Sequence, residues 1–167
     1  MSKYKEYAEK PVQFLALTGY TRTEFDNLLP QFSEQFYERM KTYNLDGSRR
    51  GKRQYSEYKN SPLLTMADKL FFILSYLKTN NLQEVQGALF GISQPKANQW
   101  IHTLLPVLNQ ALAKLGHLPA RKMAEIELSE EDSLYFHDGT ERPIQRPGDY
   151  EEQQQHYSGK KTTYGQE

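Results

Sequence analysis

Residues 82–105 constrain the fold more than any other stretch of the chain. Gln83, Gly87 and Gly91 fall four apart, and Ile92 then starts a new segment that puts Ala97, Trp100, Ile101, Leu104 and Leu105 on one helical face. The pattern predicts two short helices meeting at a glycine turn, a helix-turn-helix. Gly87 permits close approach of the helices, and Gly91 can take the left-handed conformation that ends the first. Ser93 caps the second, with Pro95 tolerated in its first turn. Gln94, Lys96, Asn98, Gln99 and His102 lie opposite the apolar face. Amides and a lysine near a helix N-terminus can reach base edges and phosphates in a major groove.

The flanking segments read as support. Pro11 opens a short apolar helix that Gly19 closes, and Thr21 with Glu24 forms a capping box for the next. Phe25, Leu28, Leu29, Phe32, Phe36 and Met40 keep helical spacing along that helix, with a kink or break predicted at Pro30. Thr65 precedes a helix over Met66 to Lys78 whose apolar face is Leu70, Phe71, Leu74 and Leu77. The second helix of the helix-turn-helix continues through Leu108, Leu112 and Leu115 to Gly116, and Pro106 predicts a bend within it. Between these helices, Asn44, Asp46, Gly47 and Ser48 make a turn. The flexible loop that follows places four positive charges in five residues, Arg49, Arg50, Lys52 and Arg53. Beside a helix-turn-helix, such a loop is suited to phosphates.

Charge divides the chain. Residues 1–124 carry 17 Lys and Arg against 10 Asp and Glu, whereas residues 125–167 carry 4 against 11. The basic part suits a polyanion. The chain has no cysteine, which removes disulfide frameworks and thiolate metal cages, and no apolar run reaches the length of a membrane span. A cytoplasmic, nucleoid-associated protein without membrane contact is the expectation. After a linker over 117–132, Ser133 to Thr140 reads as a short buried strand ending in Asp138 and Gly139. On spacing alone, Asp138 is either the start of a turn or a metal-ligating carboxylate.

Several runs together resemble one family. They are Phe14 to Gly19, Asp68 to Leu74, Leu89 to Gln94, Trp100-Ile101-His102, Asp138-Gly139-Thr140-Glu141-Arg142-Pro143-Ile144-Gln145-Arg146-Pro147, and Tyr157 to Lys161. The chain is similar to the front of a bacterial insertion-sequence transposase of the DDE type, with an N-terminal helix-turn-helix and a ribonuclease-H-like endonuclease domain. The resemblance implies a mainly α fold. A flexible start at 1–10 and a helical helix-turn-helix domain at 11–116 precede the linker, and 133–167 form the truncated β-hairpin that begins the ribonuclease-H-like α/β domain. It also implies that Asp138 is the first of three carboxylates holding two Mg²⁺ or Mn²⁺ ions in the complete domain. One aspartate does not assemble such a site, so the chain by itself is expected to carry no metal and not to act as an enzyme.

The implied function is sequence-specific binding of double-stranded DNA at the element's terminal repeats. The chain itself, or the full-length transposase, is a further candidate partner. Two alternatives stand beside this. One is an active metal-dependent endonuclease completed by another chain or by a frameshift fusion near Lys160-Lys161; the other is a plain helix-turn-helix regulator.

Overall fold

The computed structural model describes residues 2–57, 61–119 and 149–151. The chain divides into two compact units, Met1–Arg121 and Lys122–Glu167. In the second, among the described residues, the Glu151 amide donates to Asp149 Oδ1 at 2.8 Å. Apart from 149–151, the hairpin expected over 133–167 lies outside the described residues, as do most of the linker and Asp138.

The first unit contains six α-helices and, among the described residues, no strand. Composition predicts a frayed start, yet Lys3–Tyr7 forms α1 with Ser2 as its N-cap. The reason is aromatic packing: the Tyr4 ring stacks on Phe25 at 5.4 Å and Tyr7 on Phe71 at 6.0 Å. Pro11–Thr18 forms α2, opened by the proline and closed by Gly19 at φ 74°. Arg22–Thr42 forms α3, where Thr21 and Glu24 make the reciprocal capping box. The helix runs through Pro30 instead of breaking there. Phe25 and Leu28 before the proline, and Phe32, Phe36 and Met40 after it, are all buried. Each such side chain gains about 1.5–3 kcal/mol by burial. Together they outweigh the roughly 3 kcal/mol that an interior proline costs.

Met66–Thr79 forms α4, the centre of the unit, which packs against α1, α2, α3 and the last helix. Every residue from Ala67 to Ser75 is buried. A single apolar stripe therefore understates this helix at one end and overstates it at the other, because Leu77 is half-exposed. Thr65 and Asp68 form a second capping box, and Ser2 Oγ also donates to the Asp68 carboxylate. Phe71 touches the rings of Tyr4, Tyr7, Phe14 and Phe90, so α1, α2, α4 and the following helix share one aromatic cluster.

Gln83–Phe90 forms α5 and Gln94–Lys114 forms α6. The long α6 passes through Pro106 and lies mainly along α3, burying Leu104, Val107, Leu108 and Ala111. It ends at Gly116, φ 71°, with the His117 amide donating to the Leu112 carbonyl at 2.9 Å. Leu115, at the edge of this end, is exposed.

Candidate nucleic-acid interface

The turn between α5 and α6 is built as tightly as the glycine spacing requires. A Cβ on Gly87 would lie 2.7 Å from the Ile92 carbonyl oxygen, a backbone atom that has no room to withdraw. The Ile92 amide donates to the Gly87 carbonyl at 2.9 Å, and Gly91 sits between them at φ 67°. Gln86, fully buried, fixes α5 to α4: its amide donates to the Phe72 carbonyl at 3.0 Å and to Ser75 Oγ at 3.2 Å. Asn81 in turn donates to Gln86 Oε1.

Ser93 is the N-cap of α6, as its sequence position predicts, but its side chain makes no capping hydrogen bond. Pro95 explains part of this, since a proline at the second helical position has no N–H to donate. The polar face then unfolds in two layers. Lys96 and His102 are exposed, whereas Gln94, Asn98 and Gln99 are half-buried. Gln94 Nε2 and Asn98 Nδ2 both donate to Gln83 Oε1 of α5, at 2.9 and 3.0 Å. Lys96 Nζ reaches Gln99 Oε1 at 3.2 Å. Gln83 thus belongs to the face although the sequence reading left it as a spacing marker. Its position one turn before Gly87, on the side that meets α6, is the signal that identifies it.

The basic segment is not the flexible loop that its composition predicts. The turn over 44–48 closes with an antiparallel bridge between Tyr43 and Arg49. Arg50, one of the four cations expected to contact phosphates, is bonded to the backbone: its Nε donates to the Met40 carbonyl at 2.6 Å and its Nη2 to the Tyr43 carbonyl at 3.1 Å. A guanidinium there satisfies carbonyls left over at the C-terminus of α3 and complements its dipole. Tyr55 packs edge-on against Phe36 at 5.4 Å. Arg49, Lys52 and Arg53 remain exposed.

Two residues of each expected set share a cleft. Arg50, Arg53 and Tyr55 from the segment, and Lys96 and Gln99 from α6, line one cleft of about 480 Å³. Thr103 Oγ1, one turn further along α6, donates to the Leu45 carbonyl at 3.3 Å and ties the turn to the helix.

Behind this surface lies a cation that the sequence reading did not single out. The Lys69 side chain is 1% exposed, with Nζ 3.1 Å from Glu57 Oε1 and 3.2 Å from the Leu64 carbonyl. The ammonium also stands 5.4 Å from the centre of the Phe36 ring and 5.8 Å from that of Trp100. Burial pushes its pKa below that of an ordinary lysine, while the Glu57 carboxylate pulls the other way.

Among the described residues, no three His, Cys, Asp or Glu side chains converge where a metal ion could be held. No helix among them is long and apolar enough to cross a membrane. Neither the curated proteins nor the solved structures compared with the chain gave a match. Residues 62–114, which take in α4, α5 and α6 and make up 53 of the 167 residues, match the family model described as the helix-turn-helix of DDE superfamily endonuclease. This segment is similar to the helix-turn-helix of that family, a likeness that supports reading the chain as the N-terminal part of a transposase.

Proposed function

We propose that the helical unit binds duplex DNA in a sequence-specific way and serves insertion-sequence transposition by recognising the element's terminal repeats. The N-terminal half of α6 enters the major groove. Lys96, Gln99 and His102 reach outward from it, and Gln94 and Asn98 are held in register by Gln83. Arg49, Lys52 and Arg53 contact flanking phosphates. The observation that carries this reading is the shared cleft, which puts the basic segment and the polar face of a helix-turn-helix on one side of the unit. Titrating duplex affinity against salt tests it. Removing the Arg49, Lys52 and Arg53 charges should weaken binding to all sequences and flatten the salt dependence. Gln99→Ala should cost roughly 1–3 kcal/mol on a selected site and less elsewhere. A wild-type protein whose duplex binding does not respond to salt would refute the phosphate contacts.

For catalysis, Asp138 is proposed as the first metal-holding carboxylate of the family's endonuclease domain, which uses two Mg²⁺ or Mn²⁺ ions when complete. These residues supply one matching carboxylate, so the chain alone is proposed not to cleave DNA. Asp138→Ala should then leave duplex binding unchanged. Metal-dependent cleavage by the 167-residue chain that disappears in Asp138→Ala would overturn this and favour the endonuclease.

A further inference from the structure

We propose that Lys69 is a positioning residue for the DNA-facing surface: through Glu57 it holds the basic segment against α6, so that segment and helix meet DNA as one surface. The inference rests on the DNA-binding reading for its purpose but not for its geometry. A charge buried to this degree is costly unless it is paired and hydrogen-bonded, and an apolar side chain would serve a plain core better. The partners show what the charge does. Glu57 and the Leu64 carbonyl both belong to the stretch between α3 and α4, outside the helices themselves. The rings that receive the ammonium belong to α3, through Phe36, and to α6, through Trp100. Trp100 immediately follows Gln99 and lies one turn after Lys96, so the same cation touches the DNA-facing helix and the segment that carries Arg49, Lys52 and Arg53.

Two further fastenings of the segment lead to α3. Arg50 is bonded to the end of α3, and Tyr55 leans on Phe36, the ring that also covers Lys69. Phe36 in turn stacks on Trp100 at 6.4 Å. Lys69 therefore stands where segment, α3 and α6 join. Glu57 is partly exposed, which makes it the member that can be changed without opening the core.

Two variants of the full chain, Glu57→Gln and Lys69→Met, test the proposal. Hydrogen exchange is followed over residues 49–56, and affinity is measured for a short duplex of arbitrary sequence across a salt series. In Glu57→Gln the segment's amides should exchange about tenfold faster while those of α4 and α6 keep their protection. Duplex affinity should fall about threefold or more, with the salt slope smaller by about one. Loss of a carboxylate by charge alone would act in the opposite direction and tighten binding. Lys69→Met should release the segment in the same way while Trp100, the only tryptophan, keeps a buried emission. Adding Glu57→Gln to it should then change nothing further. Unchanged exchange over 49–56 in Glu57→Gln, or unchanged or tighter binding, overturns the proposal. A wild-type protein that does not bind the duplex, with a segment still released by Glu57→Gln, counts against the DNA-binding reading and leaves the Lys69–Glu57 tie standing.

Discussion

Helices α4 and α5 are consecutive, and they use polar and apolar residues in opposite ways. In α4 a lysine and an aspartate are buried among phenylalanines, each with its own partners. In α5 the apolar Val85 and Leu89 face solvent, as does Leu82 at its N-cap, 76% exposed, while Gln86 is fully buried. The contrast shows that residue type alone does not assign the inside here; position and available partners do. α4 is centred among four other helices, so even its charged residues must be satisfied internally. α5 is only eight residues long and buries Gln86, Gly87 and Phe90 against the rest of the unit, with Gln83 bonded to α6. Being too short to hold itself helical, it relies on that one-sided attachment.

If α4 is the support and α5 the part held by close approach, damage to α4 should be the more costly. Phe72 has no solvent exposure, and its ring meets Phe90 of α5 edge-on at 4.9 Å. Phe72→Ala should lower stability by about 3–5 kcal/mol, as other deep phenylalanine truncations do. Denaturant unfolding measures it, and a loss below about 1 kcal/mol, the size of an ordinary surface effect, would remove α4 from the centre of the unit.

Gly87→Ala tests the other helix. The added methyl would press on the Ile92 carbonyl oxygen, so α5 and α6 must separate or twist. A stability loss of about 1–3 kcal/mol is expected, smaller than at Phe72 because strain at one contact is shared by the turn. The functional loss should be disproportionate, since the same displacement pulls Gln83 away from Gln94 and Asn98. Comparing unfolding with duplex affinity separates the two, and affinity falling no more than stability accounts for would break the link between turn geometry and recognition.

The glycine turn, the Thr21–Glu24 capping box and the aromatic stripe of α3 were legible in the sequence because each depends on residues three or four apart; the Thr65–Asp68 box has the same spacing and emerged only in the structure. What escaped depends on partners distant along the chain. Tyr4 and Tyr7 look like part of a polar tail until Phe25 and Phe71 are brought beside them. Arg50 looks like its exposed neighbours Arg49 and Lys52 until the end of α3 presents two carbonyls to it. Lys69 and Glu57 are 12 residues apart and belong to no local pattern. The polar face of α6 was visible residue by residue, but the division into exposed Lys96 and His102 and braced Gln94 and Asn98 required Gln83 from the preceding helix.

The smallest expected effects come from setting the two capping boxes against each other, because the motif is the same and only the surroundings differ. At α4 Asp68 is 2% exposed, and its carboxylate accepts from the Thr65 amide, Thr65 Oγ1 and Ser2 Oγ. At α3 the Glu24 carboxylate accepts from the Thr21 amide and hydroxyl at 2.7 Å in open solvent. Asp68→Ala should cost about 1–2 kcal/mol, from the lost cap and the part-buried hydrogen bonds from Thr65 and Ser2. Glu24→Gln should cost less, since water replaces what the carboxylate gave. The hydrogen bonds from Thr21 hold the Glu24 carboxyl below its ordinary pKa. A folded pKa lower than the unfolded one contributes stability that is present above the unfolded value and is lost as pH falls through the folded value. The Tm difference between wild type and Glu24→Gln should therefore be small at neutral pH and shrink further on acidification through the carboxylate range. A difference that instead grows as pH falls would show that Glu24 acts on the helix by some route other than its charged hydrogen bonds.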